Sequence, residues 1–175
     1  MKINIQTSTD RLALAISTCG VGLIPFAPGT FGALVGVAIF YSLFLVCKSS
    51  PQYFQAVVII VSLLVTALGI WASNFGEKIF GVKDAQRIVV DEVAGQLISY
   101  ILVAPLMIAQ LSKPTIVVVI GFLLFRAFDI WKPYPIRHLE KLGGGLGVMA
   151  DDVLAGIYAA VVLLFIALAV PQILY

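Results

Sequence analysis

Five apolar runs joined by short polar links constrain this chain more than any other feature. They cover about 31–47, 53–75, 91–111, 115–130 and 152–170. A helix needs about 20 mostly apolar residues to cross roughly 30 Å of hydrocarbon, and the longer runs supply them. Only 11% of the residues are charged and 61% are hydrophobic, against roughly 25% charged in a soluble domain. The expected fold is all-α: a single domain over 1–175, a polytopic membrane protein of about five spanning helices. An N-terminal interfacial helix and a re-entrant-like loop should precede them. The first run is short, and its Gly32 and Gly36 make a Gly-x-x-x-Gly pair suited to close helix packing.

Residues 1–10 form a polar lead-in, so no cleavable signal peptide is expected. Thr9 or Asp10 is the expected N-cap of a helix over 11–19, too short to span. Prolines 25 and 28 and glycines 20, 22, 29 and 32 then forbid a regular helix over 20–32. That stretch reads as a re-entrant or interfacial loop ending at a helix N-terminus, with Thr30 as the cap. Cys19 and Cys47 form no metal or redox motif. They fall near opposite ends of the first run, beyond the roughly 7 Å limit for a disulfide.

Five spans place 1–30, 76–92 and 130–152 on one side. The turns at 48–52 and 112–114 and the C-terminal tail fall on the other. Every acidic residue is on the first side or at a helix end facing it, and of the 11 Lys and Arg only Lys48 and Lys113 lie opposite. Short Lys/Arg-rich loops stay cytoplasmic, so the polar face should be cytoplasmic and the C-terminus outside. Lys78, Lys83 and Lys141 suit anionic lipid headgroups. A net charge of +2 gives no argument for nucleic acid.

The densest polar stretch is 125–156. It holds Arg126, Asp129, Lys132, Arg137, His138, Glu140, Lys141, Asp151 and Asp152, with glycines at 143, 144, 145 and 147. Ionisable groups beside hydrocarbon are costly and tend to be functional. Asp91-Glu92 and Asp151-Asp152 share a placement, each pair opening an apolar run and followed by Ala94-Gly95 or Ala155-Gly156. Adjacent helical residues point about 100° apart, so one pair cannot clamp an ion alone. Two such helix ends plus Asp129 offer enough oxygens for Mg²⁺, which takes one or two carboxylates, waters and substrate phosphate. Acidic residues also favour helix N-termini through capping and the dipole. Five carboxylates in so uncharged a chain point beyond that. Asp91, Glu92, Asp129, Asp151 and Asp152 are therefore the expected metal and catalytic set.

Arg126 and Lys132 are the expected phosphate ligands, and Arg137 is a further candidate. Asp129 and Lys132 stand three residues apart and could instead pair with each other. Gly144 and Gly145 could present backbone N–H groups to phosphate, as could Gly29 and Thr30; a plain flexible turn is the alternative for the glycine run. His138, the one histidine, could donate a proton or simply be exposed. The chain lacks a Cys-x5-Arg loop, an Asp-x-Asp pair, the Lys-x6-Arg-Pro of histidine-dependent lipid phosphatases and the Asp-Gly-x2-Ala-Arg of CDP-alcohol transferases. With no partnered nucleophile, direct attack by metal-activated water remains.

GVGLIPFAPGTFGAL (20–34), VVDEVAGQLIS (89–99) and FRAFDIWKPYPIR…GGGLGVMADDVLAGI (125–157) closely resemble the signature blocks of the phosphatidylglycerophosphatase A family. The resemblance implies a bacterial inner-membrane, Mg²⁺-dependent lipid phosphatase. Its implied partner is phosphatidylglycerol phosphate in the bilayer, converted to phosphatidylglycerol and phosphate. A rival reading is a non-enzymatic membrane cation carrier using the same carboxylates. That reading wants acids deep in the spans and gives the cations and glycine loops no role.

Overall fold

Four helices of the computed structural model are long and apolar enough to cross a membrane, and a broken segment runs among them. Residues 5–83, 85–109, 113–139 and 141–170 are described. Asp84, Glu140, the end of the third apolar run and the C-terminal tail lie outside the described residues. Among those described there is no strand.

The first helix, α1 (Ser8–Thr18), is capped by Thr7 rather than by Thr9 or Asp10. Thr7 Oγ1 accepts the Asp10 N–H at 3.1 Å, while the Asp10 carboxylate accepts the N–H groups of Gln6 at 3.0 Å and Thr7 at 2.8 Å. This reciprocal box satisfies otherwise orphaned donors. The same bonds, that from Gln6 foremost, hold the Asp10 carboxyl below its usual range. A short 3-10 turn at Val21–Leu23 leads to α2 (Pro28–Cys47). Proline suits a first helical position because its fixed φ is helical and its missing N–H would be orphaned there anyway. The helix therefore starts before Thr30, and Ala27, left-handed at φ 45°, takes the capping position expected for Thr30.

Helix α3 (Pro51–Phe80) runs beyond its expected end and absorbs Gly76, Glu77 and Lys78. Gly81, at φ 68°, ends it and donates its N–H to the Glu77 carbonyl at 2.8 Å. The polar connection thus shrinks to 81–89. The third expected span is split into α4 (Val90–Ile98) and α5 (Ala104–Ala109). At the break, the N–H groups of Tyr100 and Ile101 reach back three residues to the carbonyls of Leu97 and Ile98. Pro105, with no N–H to give, then prevents one continuous helix. The Gln55 side chain of α3 donates to the Ile101 carbonyl at 3.2 Å. Irregular backbone at this depth is tolerated only when protein satisfies it in this way.

Helix α4 is the axis of the bundle. All its residues from Val90 to Leu97 except Glu92 are buried, against α2, α3 and α8 (Gly144–Ala169). The Gly32–Gly36 pair does allow close packing: a Cβ on Gly36 would lie 2.8 Å from that of Gln96, and one on Gly32 2.9 Å from that of Val89. Below, the Tyr100 ring stacks on Phe40 at 4.2 Å and its hydroxyl donates to the Val118 carbonyl of α6 (Pro114–Trp131) at 2.7 Å. A single turn, α7 (Ile136–Leu139), follows α6.

Helix α8 corrects the expectation most. The glycine run is helical from Gly144 onward, so Asp151 and Asp152 lie about two turns inside α8 instead of in its first turn. Glycine is a poor helix former, but α3 holds it here. The Gly145 N–H donates to Asn74 Oδ1 at 2.7 Å, and Gly145 lies flush against the Ile70 carbonyl. Tertiary packing overrides propensity.

Candidate active site

The site begins with two glycines. A Cβ on Gly156 of α8 would run into the Gly95 carbonyl of α4, and one on Gly95 would lie 2.6 Å from the Asp152 carbonyl oxygen and against the Phe125 ring. The two backbones therefore touch. Asp91 precedes Gly95 by four residues, and Asp152 precedes Gly156 by four. Residues four apart share a helix face, so the glycine contact puts the two carboxylates beside each other one turn higher. Asp91, Glu92 and Asp152 each offer an oxygen, all within 4.8 Å of one another. Asp91 and Asp152 are 7% and 3% exposed. Asp91 Oδ1 accepts the Glu92 N–H at 3.0 Å. Glu92 Oε2 is buried with no hydrogen-bond partner. Two full charges at this spacing repel by roughly 3 kcal/mol at an effective dielectric of ~20, so a cation among them would relieve the crowding.

The end of α6 carries the opposite sign. Arg126 and Asp129, three residues apart, form an ion pair at 2.5 Å, yet one Arg126 terminal nitrogen has no aligned hydrogen bond. Their contact is one of charge more than of directed bonding. Lys132 caps the helix in the left-handed region at φ 47° and reaches Asp151 Oδ2 of α8 at 2.6 Å. Where the sequence left an Asp129–Lys132 pair open, the structure pairs Asp129 with Arg126 and Lys132 with Asp151.

These groups line two adjoining cavities. The larger, about 490 Å³, lies between the 25–30 turn and the end of α6, with Gly29, Thr30, Arg126 and Lys132 in its wall. The smaller, about 160 Å³, is walled by Asp91, Asp151 and Asp152. Glu92, Asp129, Lys132 and Gln86 belong to both. Gly29 packs close to the charged groups: a Cβ there would meet Glu92 Oε1 and sit 3.3 Å from Arg126 Nη1, so those side-chain ends would have to shift. Ala27 and Lys132, both non-glycine residues at positive φ, stand in the wall of the larger cavity. Such strain gathers at functional sites.

Some expected residues lie elsewhere. Gly144 and Gly145 line neither cavity, and the Gly145 amide already serves Asn74; the phosphate cradle expected there is a helix–helix contact. Arg137 and His138 are exposed, with the His138 ring against Tyr134 at 5.2 Å. Cys19 and Cys47 are free thiols. Gln86 escaped sequence reasoning, because a single amide in a polar link carries no motif.

An acidic cluster under a polar cavity, set in an all-helical bundle with four helices apolar enough to span, defines a membrane protein with an oxygen-rich cluster able to hold a cation. The family model described as phosphatidylglycerophosphatase A matches residues 14–167, and the chain belongs to that family. It is 32% identical over 166 residues to a phosphatidylglycerophosphatase A of Escherichia coli, covering 94% of this chain and 88% of that protein. Its identity to the Haemophilus influenzae protein of the same name is 40% over 162 residues, covering 92% and 90%. A provisionally named phosphatidylinositol-3-phosphatase of Bacteroides thetaiotaomicron is 39% identical over 153 residues, covering 87% and 88%. No solved structure matches.

Proposed function

We propose that this protein hydrolyses phosphatidylglycerol phosphate to phosphatidylglycerol and phosphate, with Mg²⁺ as cofactor, at the cytoplasmic face of a bacterial inner membrane. The observation that carries this reading is the junction of three clustered carboxylates, Asp91 and Asp152 buried and Glu92 half-buried, with a cavity walled by Arg126 and Lys132. The names of the E. coli and H. influenzae relatives agree with it.

The donor set fits a hard divalent ion. It is all oxygen, and one of those oxygens, Glu92 Oε2, is buried and unpartnered. Asp91, Glu92 and Asp152 would hold the ion, which when bound offsets charge on phosphoryl oxygens and acidifies water. Arg126 and Lys132 would receive the phosphate, with Gly29 and Thr30 closing the cavity behind it. Asp129 and Asp151 would set the directions of those two cations, and Asp129, which lines both cavities, would also take a proton. A thiolate route has no support: burial, with the Glu92 carboxylate adding to it, pushes the Cys19 thiol up to about 11. The Lys/Arg asymmetry supports the orientation, and Lys78, Lys83 and Lys141 would meet anionic lipid.

The test is phosphate release by the purified protein with Mg²⁺, followed by the same assay in sealed vesicles. Inside-out vesicles should hydrolyse added lipid and right-side-out vesicles should not. A purified protein inert toward phosphatidylglycerol phosphate would end the enzymatic reading. The reverse sidedness would overturn the orientation alone.

A further inference from the structure

Gln86 stands on the 81–89 link between α3 and α4, and of the four residues common to both cavities it alone is uncharged. The other three have evident engagements: Glu92 with Asp91 and Asp152, Asp129 with Arg126, and Lys132 with Asp151. Gln86 is exposed, and its amide makes no hydrogen bond among the described residues. In the larger cavity Gln86 and Thr30 are the neutral side chains able both to donate and to accept.

That chemistry matches an alcohol. An amide offers a carbonyl acceptor and an N–H₂ donor side by side, whereas a carboxylate only accepts and an ammonium only donates. The substrate read above carries one such alcohol close to phosphorus: the free hydroxyl of the headgroup glycerol, on the carbon beside the one bearing the terminal phosphate. Phosphatidic acid presents a terminal phosphomonoester too, but has no headgroup glycerol. A site built to bond a hydroxyl discriminates against the analogue that lacks it, because its polar group is left without a partner.

We propose that Gln86 is a specificity-determining residue that hydrogen-bonds the headgroup hydroxyl beside the scissile phosphate, selecting glycerol-linked phosphomonoesters over phosphatidic acid. The inference rests on the functional reading above. Its place at the seam of the two cavities suits this: the phosphate lies between the cations and the carboxylates, and the adjoining glycerol carbon falls next to the residue that borders both spaces.

The experiment compares the wild-type protein with Gln86→Leu, a change of similar volume at an exposed loop position. kcat/KM is measured on phosphatidylglycerol phosphate and on phosphatidic acid in the same Mg²⁺-containing mixed micelles. The variant should lose about tenfold on the first lipid, the worth of one neutral hydrogen bond, and nothing on the second. The preference between the two then falls by that factor. Gln86→Asn, which keeps the amide, should recover part of it. Equal losses on both lipids, or no loss on either, would overturn the assignment while leaving the phosphatase reading intact. A wild-type protein that releases phosphate from neither lipid would overturn both.

Discussion

Asp129 and Asp151 each have a cation at ion-pair distance, Arg126 and Lys132 respectively. Asp91, Glu92 and Asp152 crowd within 4.8 Å and no ion pair joins them to a Lys or Arg among the described residues. The α6 side of the site is thus neutralised from within, while the α4–α8 seam asks for positive charge from outside. Five carboxylates of similar appearance in the sequence separate into two settings, two ion-paired and three clustered together. The separator is the Gly95–Gly156 contact, which sets Asp91 and Asp152 side by side with Glu92 next to them, while Asp129 on α6 and Asp151 on α8 each pair with a cation at the end of α6.

Substitutions can break that contrast. Asp91→Asn and Asp152→Asn should each lower kcat by about 10²-fold or more, because charge stabilisation by a bound metal supplies several kcal/mol. Thermal stability should hold or rise, since each removes a repelling buried charge. Asp151→Asn should behave differently, with about a tenfold loss in kcat/KM carried mainly by KM and a lower melting temperature, because Lys132 loses an ionic partner. Asp129→Asn, on the border of both cavities, should fall between. Steady-state kinetics beside thermal melts would check the set, and identical behaviour of Asp151→Asn and Asp152→Asn would erase the distinction.

The smallest effects fall on the scaffold. Gly156→Ala forces a Cβ into the Gly95 carbonyl and should destabilise by about 1–3 kcal/mol. Gly143→Ala, where a Cβ meets nothing within 4 Å, should stay within about 0.5 kcal/mol. Denaturation in detergent measures both, and equal effects would mean that the seam is not tight.

Much of this was legible in the sequence, for particular reasons. Apolar runs and the confinement of charge give the helices and put the acids at one end. The Ala-Gly following each acidic pair hinted at a shared role, and the structure supplies it as a backbone contact. Three features were not read from the sequence, two of them because tertiary packing decides them. Propensity makes glycines 143–147 a loop, yet Asn74 and the Ile70 carbonyl hold Gly145 in a helix and move Asp152 away from any N-terminus. A third run counted by hydropathy looks continuous, though Pro105 was the visible sign of its break. The pairing of Lys132 with Asp151, nineteen residues on, spans two helices and has no local signature.

Cation binding itself, apart from turnover, tests the central claim most directly. Mg²⁺ would be titrated calorimetrically into the purified protein and into Asp152→Asn and Asp151→Asn. The account predicts saturable binding to the wild type, weakened by about tenfold or more in Asp152→Asn and kept in Asp151→Asn. Absence of binding to the wild type, or equal affinity in the wild type and Asp152→Asn, would contradict it.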